Sequence, residues 1–432
     1  MPARTLRPGR YAAARVSGND SHVGRLAAVE RAFRTLPDRY LGAEPGFDAT
    51  YHIRLGDLGH TWEVRVTTHG ARVRKGITNR QPDVTIGTDS VTWMQLREGR
   101  LSGIEAFSRR RLYARGKLDL AIGFEGLFRL PNGRAPLLRV HDVRVGRTRI
   151  STLTMGAGRD VLLLHGLGAT KASFFDTAAA LSRGYRVHAL DLPGFGSSSK
   201  PATAPYNAAY FAETLLGAMD ELGVERAHLV GNSLGGRVAI EVGLRAPERV
   251  HGLGLLCPAV AFLRRGYHPV VRLLRPEFGV LPHRFGRGTV TKQFMRLFAD
   301  PSVIDPSMAD IVVDEFQRIY ASAGARLAFL SAARHVYLEK PLGDGGFYPR
   351  LAGLQPPALF VWASHDRLIP ASFARHVAEW LPSAEQIVID ACGHAPQVER
   401  PRQTIGLLRR FFARVEALET PVLAPARGRA AA

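Results

Sequence analysis

A serine lies between glycines in the run GNSLG at residues 231–235, and this spacing strongly limits the local fold. The apolar residues 227–230 before it predict a buried strand, and residues 237–242 after it predict a helix. A serine on such a sharp turn projects its hydroxyl clear of the backbone, whereas side chains at Gly231 and Gly235 would collide with the strand and helix. The pattern predicts that Ser233 is a nucleophile. The alternative is a glycine-rich turn with an incidental serine.

A second glycine-rich loop, HGLG at residues 165–168, follows a strand-like run. Such a turn lets backbone N–H groups point into a site. We therefore expect the N–H groups of Leu167 and Leu234 to form an oxyanion hole beside Ser233. His165 is expected to hold the turn by hydrogen bonds rather than to act as a base. Two further residues of these loops are expected to contact substrate: Gly166 and Asn232.

Two polar residues complete the pattern, and each follows an apolar strand-like run: Asp366 and His394. A serine hydroxyl needs an adjacent base before it can act as a nucleophile. His394 is predicted to take the proton of Ser233, while Asp366 holds the imidazole in the working tautomer. This chemistry calls for neither a metal ion nor an organic cofactor.

The chain order Ser233, Asp366, His394, with the glycine loop upstream, resembles the α/β-hydrolase fold family from about residue 137 to 418. The resemblance implies a mostly parallel sheet with helices on both faces. In this family, the proteins that act on haloalkanes or epoxides carry aspartate at the position of Ser233, on the sharp turn between strand and helix (the nucleophile elbow). Serine favours hydrolysis of an ester, thioester or lactone, or of a carbon–carbon bond next to a carbonyl. The motifs do not separate these reactions.

The hydrophobic pattern beyond residue 137 agrees with an α/β architecture. Apolar runs that predict strands occur at residues 138–143, 149–153, 161–164, 186–190, 227–230, 254–256, 358–362 and 386–389. Strands that alternate with helices imply a mostly parallel sheet covered on both faces. The long insertion at about 258–355 is predicted to cover the carboxyl edge of the sheet as a lid.

A separate unit is predicted at residues 21–134, where helical and strand-like patterns alternate. Its strands are expected to pair antiparallel, in a small α+β domain. The run PDVTI at 82–86, the helix through Trp93, and the run RGKL at 115–118 resemble the sterol-carrier-protein-2 family. That resemblance implies an apolar tunnel for an acyl chain or similar lipid. The alternative is a small domain that only packs on the rest of the chain.

The composition suggests partners and a location. The 432 residues carry a formal net charge of +20, which favours anionic partners such as phospholipid head groups. The basic residues are scattered, and no nucleic-acid-binding signature accompanies them, so no specific nucleic acid is expected. Two cysteines, no signal-peptide pattern and no long apolar span predict a cytoplasmic protein.

The two ends, residues 1–20 and 419–432, lack apolar periodicity and are predicted to be unstructured. The first end carries four arginines that favour peripheral contact with an anionic membrane: Arg4, Arg7, Arg10 and Arg15.

Three functions are compatible with these observations. The first is a serine hydrolase that cleaves an apolar carboxylic ester or thioester through an acyl-enzyme, with an apolar acyl compound or lipid as its partner. The second is a lipid-binding or transfer protein in which the hydrolase half is secondary. The third is an acyltransferase that uses the same triad. The sequence does not define the substrate or the oligomeric state.

Overall fold

A computed structural model describes residues 22–78, 81–263, 275–281 and 285–419. The predicted unstructured N-terminus, with its four arginines, lies outside the described residues. So does the predicted C-terminal tail, except that Glu419 is the last residue of the final helix.

The N-terminal domain is built on a sheet of five strands, in the order β3-β2-β1-β4-β5 among the residues described. Its strands are β1 (Asp48–Leu55), β2 (His60–Thr67), β3 (Gly70–Lys75), β4 (Val84–Thr88) and β5 (Leu112–Gly116). The expectation of antiparallel pairing was wrong for one pair, because β4 lies parallel to β1. The chain crosses from β3 to the other edge of β1 before it forms β4, which allows the two to run in the same direction.

Four α-helices lie in the described part of this domain: α1 (His22–Arg34), α2 (Ser90–Arg97), α3 (Gly103–Ser108) and α4 (Leu118–Gly123). The side chain of Asp89 accepts a 2.7 Å hydrogen bond from the Thr92 N–H and thereby caps α2. A short 3-10 helix, Glu125–Leu127, follows α4.

Aromatic rings fill the core of this domain. Phe33 of α1 stacks between Trp62 and Trp93, with ring centroids 4.5 and 4.6 Å away. Phe124 packs against Phe128 at 5.3 Å. These buried rings occupy the interior where the resemblance to lipid carriers implies an apolar tunnel.

The larger domain contains an eight-stranded sheet in the described residues, in the order β13-β12-β11-β10-β8-β9-β7-β6. Its strands are β6 (Leu138–Val145), β7 (Thr148–Gly156), β8 (Arg159–Leu164), β9 (Tyr185–Leu190), β10 (Ala227–Asn232), β11 (Val250–Leu256), β12 (Ala358–Ala363) and β13 (Glu385–Ile389). The strands from β13 to β9 pair parallel, and β7 and β6 join the far edge antiparallel.

Helices cover both faces of this sheet. The described helices are α5 (Phe175–Leu181), α6 (Ala208–Glu221), α7 (Leu234–Arg245), α8 (Arg287–Met295), α9 (Pro306–Tyr320), α10 (Ala323–Leu338), α11 (Phe347–Leu351), α12 (Ala374–Trp380), α13 (Pro396–Glu399) and α14 (Pro401–Glu419). Leu162 and Leu164 of β8 pack with α6 and α7, whereas Val161 and Leu163 pack with α5 and α14. The α/β architecture predicted from the apolar runs is therefore confirmed. No helix in the described ranges is long and apolar enough to cross a bilayer.

The inserted lid lies between β11 and β12 and contributes α8, α9, α10 and α11. Helix α9 carries one apolar face, and Val313 and Ile319 are buried on it. The lid contacts the N-terminal domain as well, since Arg110 lies 3.5 Å from Asp305.

The two domains share one apolar core. Leu118 and Ile122 of α4 belong to the same buried cluster as the residues of β8 and α5. Phe107 meets Phe175 edge to face, with centroids 6.3 Å apart. The N-terminal domain therefore packs directly on the face of the larger domain's sheet that α5 covers, rather than being attached by a linker alone.

Candidate active site

Ser233 occupies a strained turn between β10 and α7. Its backbone angles are φ +53° and ψ −114°, a region that a residue with a side chain rarely adopts. A Cβ atom at Gly231 would lie 2.3 Å from the backbone carbon of Gly235, and one at Gly235 would lie 2.0 Å from the carbonyl oxygen of Leu164. Both contacts are too close, so the geometry agrees with the steric argument made from the sequence.

Asp366 and His394 form a hydrogen-bonded pair. Nδ1 of His394 lies 2.7 Å from Oδ2 of Asp366, and both side chains are buried. The other carboxylate oxygen accepts the backbone N–H groups of Leu368 and Ile369, at 2.7 and 2.9 Å. The carboxylate is therefore fixed in place, and Nε2 is left as the imidazole nitrogen for proton transfer.

Asn232 joins the serine turn to the histidine loop. Its side-chain amide donates to the carbonyl oxygens of Leu256 and His394, both at 3.0 Å. The amide nitrogen of Asn232 is thus bonded to two backbone carbonyl oxygens. From the sequence, Asn232 was expected to contact substrate, and this structural role was not predicted. The structure brings the segments of Ser233 and His394 together through it.

The loop at residues 165–168 passes directly beside the serine. A Cβ atom at Gly166 would lie 3.1 Å from Oδ1 of Asn232 and 3.3 Å from Cβ of Ser233. Leu167 follows in this loop, and Leu234 is the first residue of α7, where N–H groups have no acceptor within the helix. Both predicted oxyanion donors therefore lie on segments that border Ser233.

His165 has a structural position, as expected. Its Nε2 accepts the Leu192 N–H at 3.0 Å, so Nδ1 carries the proton and donates to the carbonyl of Gly166 at 2.8 Å. Burial lowers the pKa of His165, which favours this neutral form. Both ring nitrogens are engaged with the backbone.

The lid approaches the site at two points. A Cβ atom at Gly168 would lie 3.0 Å from the ring of Phe329 and 3.8 Å from the ring of Phe316. The N–H of His394 donates to the carbonyl of Leu297 at 2.7 Å. Phe316 and Phe329 were not predicted to face the site, because an aromatic residue in a helical run gives no signal of what it will contact.

A cavity of about 170 Å³ lies between α7 and the lid helix α10. Its lining includes Leu234, Arg237, His335 and Glu339. The guanidinium of Arg237 is paired with Glu339, with Nε 2.8 Å from Oε2, so the charges in this cavity are matched.

Cys257 is buried next to the hydrogen-bonded pair of Asp366 and His394. One potential ligand atom from each of Cys257, Asp366 and His394 lies within 4.8 Å of the others, a grouping that could in principle hold a metal ion. Burial, reinforced by the charge of Asp366, raises the pKa of the Cys257 thiol well above its ordinary value. Both oxygens of Asp366 already accept hydrogen bonds, one from Nδ1 of His394 and the other from the N–H groups of Leu368 and Ile369, so the carboxylate is committed to this network.

Comparison with known proteins agrees with this geometry. The family model for the alpha/beta hydrolase fold matches residues 161–401, and the model for the SCP-2 sterol transfer family matches residues 42–129. The pimeloyl-[acyl-carrier protein] methyl ester esterase of Aeromonas hydrophila is 29% identical over 262 residues, which cover 61% of this chain and 98% of that protein. The 2-hydroxymuconate semialdehyde hydrolase of Pseudomonas putida is 29% identical over 273 residues, covering 61% and 91%.

A similar solved structure is that of a membrane phospholipase A described as a bacterial virulence factor. It has a TM-score of 0.56 and 29% sequence identity, and the match covers 65% of this chain and 87% of that one. The match at residues 42–129 identifies the N-terminal domain as similar to the SCP-2 sterol transfer family. Since the hydrolase model matches more than half of the residues, the chain belongs to the alpha/beta hydrolase fold family.

Proposed function

We propose that this protein is a serine hydrolase that cleaves an apolar carboxylic ester or thioester. The observation that carries the proposal is the strained backbone of Ser233, whose neighbour Asn232 bonds the loop of His394, together with the 2.7 Å hydrogen bond between His394 and Asp366. Strain of this kind persists where the surrounding structure enforces it, and it is common at reactive residues.

Each group then has a defined role. The hydroxyl oxygen of Ser233 attacks the carbonyl carbon while Nε2 of His394 takes its proton. The backbone N–H groups of Leu167 and Leu234 stabilise the oxyanion of the tetrahedral intermediate. His394 returns the proton to the departing alcohol or thiol, leaving an acyl-enzyme. A water molecule, activated by the same histidine, then releases the acid and the free serine.

The aromatic residues of the lid favour the proposal that the substrate is apolar. Phe316 and Phe329 flank Gly168 of the proposed oxyanion loop, and Tyr320 and Phe285 extend the aromatic cluster. Aromatic side chains of this kind favour an acyl chain over a charged group. The sequence similarity to an esterase and to a phospholipase A is consistent with this substrate class.

A second candidate is hydrolysis of a carbon–carbon bond next to a carbonyl. It is favoured by the similarity to a hydrolase whose substrate is a semialdehyde rather than an ester. The triad and oxyanion donors are the same in both proposals. Relative kcat/KM values for an ester and for a vinylogous diketone, measured on one preparation, distinguish them.

Lipid binding by the N-terminal domain is a further part of the proposal, supported by the match to the SCP-2 model. A ligand in the interior would have to displace rings such as Trp62 and Trp93, which are nearly fully buried. Titration of the whole protein with a fatty acid should therefore change tryptophan fluorescence. A Trp93→Phe variant should show a smaller change.

The central test is a Ser233→Ala variant assayed on a chain-length series of p-nitrophenyl esters. Loss of the nucleophile should lower kcat by about 10⁴-fold or more while the protein remains folded. Labelling of the wild-type protein by a fluorophosphonate, located at Ser233 by mass spectrometry, gives independent support. Full esterase activity in Ser233→Ala would exclude the proposal.

A further inference from the structure

A buried lysine holds one end of the loop that carries Leu167. Lys171 opens a 3-10 helix, Lys171–Phe174, immediately after that loop, and its side chain is 1% exposed. Its backbone N–H donates to Oδ1 of Asp191 at 2.8 Å, and its ammonium donates to Oδ2 at 2.7 Å. These hydrogen bonds therefore hold the C-terminal end of the loop against the turn that follows β9.

A hydrogen bond to the same turn holds the N-terminal end of the loop, at His165. His165 accepts the N–H of Leu192, the neighbour of Asp191, and donates to the carbonyl of Gly166. Residues 166–170 thus span two anchors, His165 and Lys171. The position of the Leu167 N–H depends on both.

The N-terminal domain supplies the second counter-charge of this lysine. A carboxylate oxygen of Asp119, in α4, lies 2.8 Å from the ammonium of Lys171, and the hydroxyl of Ser151 lies 3.0 Å from it. Burial alone would lower the pKa of Lys171, but the carboxylates of Asp119 and Asp191 outweigh burial and raise it. A buried ammonium is tolerated only when it is paired in this way.

We propose that Asp119 is a positioning residue through which the N-terminal domain fixes the oxyanion loop of the larger domain. This inference rests on the proposed function. An oxyanion hole acts mainly in the transition state, and small displacements of its donors weaken it strongly. A loosened loop should therefore lower kcat more than it changes KM.

Other contacts already hold the two domains together, so Asp119 is not needed for docking itself. The shared apolar core includes Leu118 and Ile122. The ion pair of Arg183 with Glu105, at 3.1 Å, crosses the same interface, and the side chain of Arg183 is 66% exposed. Arg183 is a suitable control because it bridges the domains without contacting the loop or its anchors.

The test compares three full-length variants with the wild type: Asp119→Asn, Asp119→Glu and Arg183→Gln. For a p-nitrophenyl ester, we expect Asp119→Asn to lower kcat about tenfold and to leave KM within about twofold. Asp119→Glu retains the charge and should recover most of kcat. Arg183→Gln should match the wild type.

Hydrogen exchange of the backbone amides at residues 166–171 supplies a readout that needs no substrate. It should rise in Asp119→Asn and stay unchanged in Arg183→Gln. Unchanged kcat and unchanged exchange in Asp119→Asn would overturn the inference, as would equal effects in Arg183→Gln. If the wild type hydrolyses no ester, the proposed function fails, while the exchange comparison still decides whether Asp119 fixes the loop.

Discussion

The side-chain amide of Asn232 donates a 3.0 Å hydrogen bond to the backbone carbonyl of His394. The same nitrogen also bonds the carbonyl of Leu256, at the end of β11. The residue before the proposed nucleophile thus helps to hold the loop of the proposed base in place, together with the bond from the His394 N–H to Leu297. Two segments that are 162 residues apart in the chain meet through one amide group.

Replacement of Asn232 by alanine removes both of these hydrogen bonds. Because the histidine loop should then shift relative to Ser233, we expect kcat to fall by about 10–100-fold with little change in KM. Steady-state kinetics on one ester, with circular dichroism to verify folding, measure this. A raised KM at unchanged kcat would instead mean that Asn232 contacts substrate, as the sequence alone suggested.

The carboxylate of Asp366 should hold His394 in the tautomer that carries the proton on Nδ1 and leaves Nε2 free to accept one. Asp366→Asn keeps the shape of the side chain but presents an amide, and we expect kcat to fall by about 10³–10⁴-fold. Asp390→Asn is a matched control, since Asp390 is an exposed carboxylate on the neighbouring loop that bonds Ser364 at 2.9 Å. Comparable losses in the two variants would contradict the assignment.

Much of this site could be predicted from sequence because its signals are local. A Cβ atom at Gly231 would collide within the strand-to-helix turn, and one at Gly235 would collide with Leu164 at the end of the neighbouring strand β8. The motif implies both limits, so the sequence predicts the turn with its steric reason. Asp366 and His394 lie on the loops that follow β12 and β13, and parallel strands bring their carboxyl ends to one edge of the sheet.

Other features depend on contacts between distant segments. Lys171 lies in no recognisable pattern, and its role follows only from its two carboxylate partners, Asp119 and Asp191. Strand β3 was not predicted because none of its side chains is fully buried and Ala71 and Val73 alone give too short an apolar alternation. The parallel pairing of β1 with β4 is a property of the whole sheet rather than of either strand.

The ring of Phe329 against Gly168 should influence the preference for acyl chain length. Phe329→Ala enlarges the apolar space beside the proposed oxyanion loop, so the optimum should shift toward longer acyl chains in a series of p-nitrophenyl esters. Phe278→Ala, which changes a lid phenylalanine that is 46% exposed, serves as the control. Identical chain-length profiles in all three proteins would show that Phe329 does not line the acyl site.

Both cysteines should resist alkylation in the folded protein. Cys257 and Cys392 are buried, and burial raises the pKa of the Cys392 thiol to about 12. Since the thiolate is the reactive form, iodoacetamide at pH 8 should add no mass to the native chain and two groups after denaturation in guanidinium. Rapid native labelling with loss of activity would indicate that the site opens far more than the structure implies.

The buried carboxyl of Glu125 should make the stability of the protein depend on pH. Burial raises the pKa of Glu125 from 4.5 to about 8, although the Gly103 N–H donates to one of its oxygens at 2.5 Å. Between these values the folded state holds a proton that the unfolded state has released. The free energy of unfolding should therefore fall as pH rises from about 5 to 8.

Glu125→Gln removes this ionisation and keeps an oxygen that can accept the Gly103 N–H. The variant should melt close to the wild type at pH 5 and higher than it at pH 8, by about 3 °C or more. Glu98→Gln, at an exposed position of the same domain, should show no such pH-dependent difference. A melting temperature of Glu125→Gln that parallels the wild type across this range would mean that the carboxyl is already ionised in the folded protein, stabilised by the nearby guanidinium of Arg97.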